Sequence, residues 1–459
     1  MKVIIVGVGK LGYKLADSML NTGINVTLVD TDLKVLERIN EHLDVLTVNA
    51  NGLEVEALKN LDIETYDLLI ACTDSDEANT IICMIAKKLG CKRTIARIRN
   101  PEYLKQINFM KKEMGIDHIV NPDLLTANEM VRYLFKSYNF HTGDFAKGKV
   151  QMIDFNINLT EGMAGKKISE LDLMNGLLIV AIMRNGNVII PDGSVELLKD
   201  DIVYFIGKSQ SIDELVKRYQ LKTVTNSVKR AMILGGGNLS YYLARQLGML
   251  NTSVILIEQD EERCRYLSER LNNAVVIHGD GTDLDLLEEE DLSSMDAFIG
   301  ATGFDEQNIL MSIVAKQAGV DKVIAKISRQ SYVNLIDKLN IDVAFNPTDI
   351  TASDILKFIR GGEVISVSLL LGGQAEVTEL IINQNLPVVG KQISKLGLPK
   401  GIIIGAIVHG NDVIIPNGST VINANDRLII FCLEKDVPSL EMFLKPRKGG
   451  LFHELWNNN

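Results

Sequence analysis

The sequence has little of what marks several protein classes. Its five cysteines are scattered without a C-x-x-C pair, which excludes a disulfide framework and indicates a reducing compartment. Its six histidines are equally dispersed and show no metal-ligand spacing. Acidic residues (59) outnumber basic residues (48), and the net charge of −11 argues against nucleic acid as a partner, because phosphate binding needs an excess of lysine and arginine.

Long hydrophobic runs are also missing. The longest apolar stretches, 176–183 and 401–408, fall well short of the roughly 18–20 residues that span a bilayer. The first residues run directly into an apolar strand at 2–6, so we expect no signal peptide. The sequence thus predicts a protein that crosses no membrane, and it leaves contact with a membrane surface open.

The chain repeats itself at a displacement of about 225–229 residues. Five segments of the first half recur in the second half in the same order: 7–12 at 235–240, 73–79 at 302–308, 121–122 at 346–347, 165–169 at 390–394 and 188–194 at 413–419. The near-constant displacement indicates a duplicated two-domain unit with few insertions. We therefore predict four domains, joined by polar linkers at 141–149 and 222–227, and a loose tail: 1–138, 139–222, 223–360, 361–445 and 446–459.

Apolar β-branched runs alternate with amphipathic stretches in the first domain. Strands are predicted at 2–6, 25–30, 44–48, 68–72 and 92–97, and helices at 10–21, 32–40, 53–61 and 76–89. Alternation at this spacing is typical of βαβ units, so the predicted fold class is α/β, with a Rossmann-like doubly wound parallel sheet in each copy. The stretches 149–207 and 363–433 carry short β runs and turn signals, and each is predicted to be a small α+β lobe.

One further helix follows the completed sheet. The stretch 124–138 has a strongly apolar side, and 350–359 is its counterpart in the second copy. Such a helix must bury that side either on its own sheet or on a partner lobe or subunit. The sequence leaves both alternatives open.

A glycine-rich turn follows the first strand. Gly7, Gly9 and Gly12 form a G-x-G-x-x-G motif between a strand and a helix, which together with Asp30 at the end of the next strand is a dinucleotide fingerprint. We expect Gly7 to permit the tight turn, Gly9 to let the backbone approach a pyrophosphate, and Gly12 to let helix and strand pack closely. Phosphates would lie at the helix N-terminus, and Asp30 would bind the ribose hydroxyls and favour NAD over NADP.

Further candidates stand at the carboxyl ends of the predicted strands, where doubly wound sheets bind their ligands. Thr73 and Asp74 end the fourth strand, and Asn51 follows the third. Arg97 ends the fifth strand, where its guanidinium either pairs with a phosphate or forms a surface ion pair.

The second copy keeps the positions and changes most of the side chains. Gly235 and Gly237 remain. Four substitutions separate the copies: Ser240 for Gly12, Glu258 for Asp30, Asp280 for Asn51 and Lys326 for Arg97. Glutamate can still hold a ribose, serine is small enough for the helix to pack, and lysine keeps the charge but loses the bidentate fork. We expect this site to bind as well, with a different affinity or nucleotide preference.

The sequence pattern offers no catalytic group and no metal ligands. No cysteine or serine has an evident base partner, and no histidine follows at a dehydrogenase-like position. A nucleotide-binding regulatory protein is therefore favoured over an enzyme, with an NAD-dependent oxidoreductase as the alternative. A nucleotide-sensing transcription factor would need a basic recognition element, which this acidic chain lacks.

The order of these motifs resembles a known family. The segments 2–9, 29–30, 71–79 and 95–99 together resemble RCK domains (regulator of potassium conductance, also called KTN), and 176–193 resembles their C-terminal lobes. Two full copies in one chain resemble the TrkA-type subunits of Trk potassium-uptake systems. The resemblance covers nearly the whole chain.

This resemblance implies a cytoplasmic protein, peripheral on the inner face of the plasma membrane, that docks on a potassium-conducting membrane subunit. It implies NAD(H) as a ligand, with ATP or ADP as further candidate effectors. It also implies a ring of eight RCK lobes, which four chains would supply as a homotetramer built through the apolar helices. Nucleotide occupancy would change the angle between paired lobes.

The resemblance assigns ligand positions residue by residue. In the first copy they are Gly7, Val8, Gly9, Lys10, Leu11, Asp30, Thr73, Asp74 and Arg97. In the second copy they are Gly235, Gly236, Gly237, Asn238, Leu239, Glu258, Thr302 and Lys326. Asn51 departs from the aspartate that is usual in the family, and Ser240 departs from its third glycine.

Overall fold

The computed structural model of the chain describes residues 1–20, 24–135, 142–160, 162–171, 176–184, 187–219, 228–329, 331–332, 336, 339, 341–360, 364–370, 374–410 and 412–444. The chain divides into two compact units, Met1–His141 with Gln220–Ile355, and Thr142–Tyr219 with Leu356–Asn459. The predicted domain boundaries at 138, 222, 361 and 445, the linker 222–227 and the tail 446–459 lie outside the described residues. Within the described residues no helix is both long and apolar enough to cross a bilayer.

The strands and helices alternate in two matching series. The strands are β1 Lys2–Val6, β2 Asn25–Asp30, β3 Leu46–Asn49, β4 Leu68–Ala71, β5 Thr94–Arg97, β6 His118–Val120, β7 Thr142–Phe145, β8 Val150–Asn156, β9 Leu177–Arg184, β10 Asn187–Ile189, β11 Ile202–Lys208, β12 Arg230–Leu234, β13 Ser253–Glu258, β14 Ala274–His278, β15 Ala297–Gly300, β16 Lys322–Lys326, β17 Val343–Phe345, β18 Val364–Leu370, β19 Ala375–Ile381, β20 Ile402–His409, β21 Asp412–Ile414 and β22 Arg427–Leu433. The helices are α1 Lys10–Leu20, α2 Leu33–Asn40, α3 Val55–Asn60, α4 Asp76–Lys88, α5 Ile107–Glu113, α6 Pro122–Leu134, α7 Ser209–Arg218, α8 Asn238–Met249, α9 Glu261–Ser268, α10 Leu284–Glu289, α11 Asp305–Gln317, α12 Pro347–Arg360 and α13 Val437–Leu444.

The first unit contains two parallel sheets of identical topology. Their strand orders are β3-β2-β1-β4-β5-β6 and β14-β13-β12-β15-β16-β17, and all neighbouring strands run parallel. The reversal of direction beside β1 and β12 makes each a doubly wound Rossmann-like sheet, which confirms the predicted fold class. The sixth strands, β6 and β17, were not predicted, because three residues are too short to show a pattern.

The second unit contains two antiparallel sheets. Their orders are β10-β9-β11-β8-β7 and β18-β19-β22-β20-β21, which match when one is reversed. Val150, Ala181, Val377 and Phe431 belong to one buried cluster to which both sheets contribute, so the two predicted small lobes share a core. The turn predicted at 185–187 begins with two residues outside the described part of the chain.

The apolar side of helix α6 is buried on the neighbouring lobe. Ala127, Met130 and Leu134 are fully buried in the core of the second Rossmann lobe, where the helix packs against α8. The ring of Tyr133 meets the ring of Phe345 edge-on at 6.2 Å. Burial of Met130 and of Leu134 contributes about 1.5–3 kcal/mol each. The partner-lobe alternative, within the same chain, is therefore the one observed.

Neutral hydrogen bonds accompany this helix. Asn121 caps α6 through a bond from the Leu124 amide at 2.9 Å, and its Nδ2 donates to the Tyr242 hydroxyl on α8 at 2.9 Å. The Tyr242 hydroxyl in turn donates to the carbonyl of Arg99 at 3.3 Å. The loop that follows β5 is thus tied to the second lobe by these uncharged groups and by one exposed ion pair, in which Arg270 lies 3.3 Å from the Glu102 carboxylate.

The other side of the same joint is held by charged groups. Lys14 on α1 lies 3.7 Å from the Asp349 carboxylate on α12, and Nε2 of His118 lies 2.7 Å from the Asp354 carboxylate on the same helix. Burial raises the pKa of Asp349, whereas the Lys14 ammonium opposes that shift. The two halves of the joint are therefore chemically unequal although the lobes are duplicates.

Replacing Tyr242 by phenylalanine tests the neutral half of the joint. The Asn121 amide and the Arg99 carbonyl would each lose one hydrogen bond and keep their 3.4 Å contact with each other, so we expect a loss of about 0.5–1.5 kcal/mol in the free energy of unfolding of the first unit. Urea unfolding measures the loss of stability, and hydrogen exchange of the α6 and α8 amides shows where it occurs. Tyr241→Phe is the matched control: Tyr241 is a neighbouring buried tyrosine whose hydroxyl makes no hydrogen bond within the described residues, and its loss should cost less than about 0.5 kcal/mol. Equal effects of the two variants would contradict the assignment.

Candidate nucleotide sites

The first glycine turn is shaped by backbone crowding. Gly7 has a φ of 92°, and a Cβ there would lie 2.6 Å from the Thr73 amide nitrogen. A Cβ on Gly12 would lie 2.3 Å from the Gly7 carbonyl oxygen. A Cβ on Gly9 would meet no described atom within 4 Å, so packing within the protein does not require this glycine. Its backbone is therefore free to approach a ligand, as the sequence predicts.

The acid at the end of β2 closes the turn. One Asp30 carboxylate oxygen accepts the Val8 amide at 2.7 Å, and the other accepts the Asp32 amide at 2.9 Å. The carboxylate thus points at the turn, where a ribose hydroxyl could reach it. Val8 and Leu11 are buried and can offer a ligand only their backbones, whereas Lys10 is exposed at the start of α1.

A buried asparagine joins the ends of β4 and β5. The Asn79 Oδ1 accepts the Thr73 amide at 2.8 Å and the Thr73 hydroxyl at 2.7 Å. Its Nδ2 donates to the Thr73 carbonyl at 3.1 Å and to the Arg97 carbonyl at 2.9 Å. Asn79 thereby positions two of the predicted ligand residues.

Arg97 points back over the same edge of the sheet. Its Nη1 donates to the Thr73 carbonyl at 2.9 Å and lies 3.7 Å from the Asp74 carboxylate, which is fully exposed. The guanidinium therefore sits beside the loop that follows β4, within reach of a group bound there. The Arg97 guanidinium can form an ion pair with Asp74 or bind a phosphate from this same position.

The second turn repeats this geometry, with the longer Glu258 in place of Asp30 and Gly236 in place of Val8. Gly235 has a φ of 95°, and a Cβ there would lie 2.9 Å from the Thr302 Cα. One Glu258 carboxylate oxygen accepts the Gly236 amide at 2.5 Å, and the other accepts the Asp260 amide at 2.8 Å. A Cβ on Gly236 would lie 2.9 Å from that Glu258 oxygen, so the longer acid fits because glycine replaces valine. A Cβ on Gly237, like one on Gly9, would meet no described atom within 4 Å.

Ser240 fits in place of the third glycine. Its side chain is fully buried, and its hydroxyl has no hydrogen-bond partner among the described residues. Where the first copy has Cys72, whose thiol donates to the Gly7 carbonyl at 3.1 Å, the second copy has the smaller Ala301. Helix α8 accordingly begins at the equivalent position, Asn238, and Leu239 is buried like Leu11.

The asparagine junction is also duplicated. The Asn308 Oδ1 accepts the amide and hydroxyl of Thr302, both at 2.8 Å, and its Nδ2 donates to the Lys326 carbonyl at 2.9 Å. The ammonium of Lys326 lies 3.4 Å from the Ala301 carbonyl, and burial lowers the pKa of this lysine. Burial therefore disfavours the charged form of Lys326, and a lysine lacks the bidentate fork of Arg97.

Two positions that differ between the copies have a local structural role. Asn51 accepts the Leu53 amide at 3.0 Å, and Asp280 accepts the Thr282 amide at 2.9 Å. Both side chains cap the turn that follows the third strand. The Asp280 substitution thus preserves that turn, and the hydrogen bonds from Thr282 lower the pKa of Asp280.

Sequence reasoning missed the asparagines and two aspartates. Asp76 accepts the amides of Arg99 and Asn100, and Asp305 accepts those of Ser328 and Arg329. Each aspartate thus holds the loop after the fifth strand. The signal was present, because Thr-x-x-Asp-x-x-Asn recurs in both copies, at 73–79 and 302–308.

The second turn lies against the first lobe. Asn238 Nδ2 lies 3.4 Å from the carbonyl of Arg99, whose own Nε donates to the Asp123 carboxylate at 2.9 Å. Arg99 stands two residues beyond Arg97. A change in the second turn can therefore reach the edge of the first site through one residue.

Family models and known proteins match this chain over most of its length. The TrkA-N domain model matches residues 3–122 and 231–347, and the TrkA-C domain model matches 152–220 and 377–445. A Trk system potassium uptake protein TrkA homolog of Methanosarcina mazei is 34% identical over 453 residues, covering 97% of this chain and 100% of the relative. The corresponding protein of Archaeoglobus fulgidus is 35% identical over 441 residues, covering 96% and 99%.

A solved structure shares the fold. The GsuK channel bound to NAD aligns with a TM-score of 0.57 at 18% identity, covering 96% of this chain and 78% of that chain. The isolated RCK domain of GsuK aligns with a TM-score of 0.56, covering 96% of this chain and 94% of that one. At these identities the likeness concerns the fold alone.

Asn79→Asp tests the buried junction with an isosteric change. The carboxylate would keep an acceptor for the Thr73 amide but would face the carbonyls of Thr73 and Arg97 without a donor, at a cost of about 1–3 kcal/mol. Hydrogen exchange of the peptide spanning 68–79 and urea unfolding measure it. The same change at exposed Asn40, whose Nδ2 donates to the Thr47 hydroxyl, is the control and should be nearly neutral. Unaltered hydrogen exchange in the Asn79→Asp variant would contradict the role of Asn79 in holding the loop after β4.

Proposed function

The chain belongs to the TrkA family, since TrkA-N and TrkA-C domains cover most of it and relatives of that name align over nearly its full length, and on this premise we propose that it is a nucleotide-sensing regulatory subunit of a potassium-uptake system. It binds NAD(H), with ATP or ADP as further effectors, and gates a membrane-embedded potassium-conducting partner. It works from the cytoplasm, peripheral on the inner face of the plasma membrane.

The observation that carries this proposal is the pair of acid-closed glycine turns in lobes that pack on each other. A sensor requires a ligand that binds one arrangement of the lobes better than another. The contact of Asn238 with the Arg99 carbonyl supplies a route, because a ligand in the second turn would act on a residue that stands two positions beyond Arg97 of the first site. The proposed output is a change in the angle between the paired lobes.

The same geometry favours a regulatory role over the oxidoreductase alternative. Burial raises the pKa of the Cys72 thiol, next to the first turn, to about 12, so it stays neutral and is a poor nucleophile. Among the described histidines, His118 lies at the lobe joint against Asp354, and His278 at the end of β14 lies 3.1 Å from the Gln259 carbonyl. His118 pairs with Ile95 of β5, away from the carboxyl end at Arg97, and His278 lies on a strand that pairs with β13. Neither stands at the carboxyl ends of β4, β5 or their counterparts, where a hydride acceptor would need a proton donor.

Calorimetry with NADH, NAD, ATP and ADP tests the proposed sites. We expect Asp30→Ala to weaken one binding event and Glu258→Ala the other, each by about 10–100-fold, because a carboxylate that accepts ribose hydroxyls makes charge-assisted bonds. Glu37→Ala removes an exposed carboxylate from the adjoining helix α2 and serves as control. Absence of any binding, or insensitivity to both acids, would make the glycine turns structural relics and overturn the proposal.

Assembly into a ring of eight lobes from four chains is part of the proposal, although the apolar side of α6, which was expected to join the chains, is buried within its own chain. Equivalent helices expose apolar side chains at equivalent positions: Ile81 on α4 is 42% exposed and Leu310 on α11 is 57% exposed. Single exposed leucines are common, but the same exposed position in both lobes favours a repeated contact.

Charge substitution at those positions tests the ring. Ile81→Lys combined with Leu310→Lys should convert a tetramer into smaller species in light scattering, because a lysine cannot be buried there without a partner. Leu33→Lys, at an equally exposed leucine whose counterpart is the charged Glu261, should leave the mass unchanged. A mass that is the same in all variants would place the assembly contact elsewhere.

A further inference from the structure

Arg263 has no equivalent in the first copy. The displacement that pairs Glu258 with Asp30 places Val35 at its position. Arg263 stands in the first turn of α9, shortly after the acid that ends β13. The second Rossmann lobe therefore carries a guanidinium where the first carries an aliphatic side chain.

This guanidinium is fixed against the second glycine turn. Its Nε donates to the Gly236 carbonyl at 2.6 Å, and its Nη2 donates to the Asn238 Oδ1 at 3.1 Å. Its carbon centre lies 4.7 Å from the centroid of the Tyr266 ring, which adds a cation–π contact. Arginine has five N–H donors, so these two bonds leave others for a ligand at the turn.

At the other end of the second site, beside β15 and β16, charged side chains have been lost or weakened relative to the first site. The guanidinium of Arg97 is replaced by the ammonium of Lys326, and burial lowers the pKa of this lysine. Gly303 stands at the position of Asp74, so the acid near that end is lost as well. The first site has Arg97 beside β5 and Lys10 at the start of α1, whereas the second has Arg263 beside the glycine turn and Asn238 at the start of α8.

We propose that Arg263 makes the second site selective for nucleotides with a terminal phosphate, the nucleoside diphosphates and triphosphates, over dinucleotides. The pyrophosphate of a dinucleotide is esterified at both ends, whereas a diphosphate ends at the turn in a doubly charged group with three free oxygens. A planar guanidinium binds such a group through parallel N–H bonds, and the N-terminus of α8 adds to it. This inference rests on the proposed function and states which ligand class the second site takes.

The first site provides the contrast. It has Val35 in place of the guanidinium, its cation at the turn is Lys10, and Arg97 lies at the far half, where the second nucleoside of a dinucleotide would extend. Both sites share the acid that would hold a ribose. The difference between them is therefore the kind of cation at the turn, an ammonium in the first site and a planar guanidinium in the second, and not whether a ribose can bind.

Calorimetry on the full chain carrying Asp30→Ala isolates the second site. ADP and NADH are titrated into this background and into the same background with Arg263→Val or Arg263→Gln. Glutamine retains an amide donor for the Gly236 carbonyl but no charge, so it separates bracing of the turn from recognition of the phosphate. We expect both variants to weaken ADP about 10–100-fold and NADH by less than about threefold. ADP affinity should also lose most of its extra salt dependence.

Two results would overturn the inference. One is an Arg263→Gln variant that keeps its ADP affinity, because the arginine would then only brace the turn. The other is an equal loss for ADP and NADH. Failure of the proposed function looks different: neither nucleotide would bind the unmodified chain at either turn.

The reciprocal change gives an independent reading. Val35→Arg in a Glu258→Ala background should raise the affinity of the first site for ADP relative to NADH several-fold. Leu33→Arg, which adds the same charge to an exposed position of α2, is the control. An ADP gain confined to Val35→Arg supports the inference, and an equal gain in both variants reduces it to unspecific charge attraction.

Discussion

The burial of one side of α6 on the neighbouring lobe is the constraint on which the arrangement of the two sites depends. Because Met130 and Leu134 fill the core of the second lobe, the chain must pass from the first sheet onto the second before it leaves this unit. That crossing brings α8, and with it the second glycine turn, against the loop after β5. Asn121 is central to the joint, since one side chain both caps the helix and binds Tyr242.

Several substitutions between the copies come in pairs, in which a larger side chain at one position accompanies a smaller one at its neighbour. The longer acid Glu258 coexists with Gly236, where the first copy combines the shorter Asp30 with Val8. A Cβ at residue 236 would lie 2.9 Å from the Glu258 carboxylate, so the glycine makes room for the longer acid, and the carboxylate reaches the equivalent amide. A second exchange, Ser240 with Ala301 for Gly12 with Cys72, works in the same way and leaves one buried hydroxyl unpaired within the described residues.

Much of this could be predicted from sequence because the signals are local. Strand–turn–helix periodicity and the glycine pattern report on neighbouring residues, and the duplication supplies each signal twice. The junction at Asn79 could not be predicted in the same way, since an asparagine in a helix shows its partners only when β4 and β5 are adjacent. The placement of α6 was undecided for a related reason, because an apolar face says that it is buried and not on what. Arg263 was overlooked because its importance lies in a contact across a helix and a turn.

The unequal joint has a consequence for a protein whose task concerns salt. In a dimer of identical lobes both halves of the joint would respond alike to the ionic composition of the cell. Here the half around Tyr242 combines uncharged hydrogen bonds with one exposed ion pair, Arg270 with Glu102, whereas the half around α12 uses Lys14 with Asp349 and His118 with Asp354. Rising ionic strength weakens the ion pairs, the exposed one most, and leaves the apolar contacts and the Tyr242 hydrogen bonds unchanged. Because the two fused copies have diverged, the two halves of the joint therefore respond differently to salt.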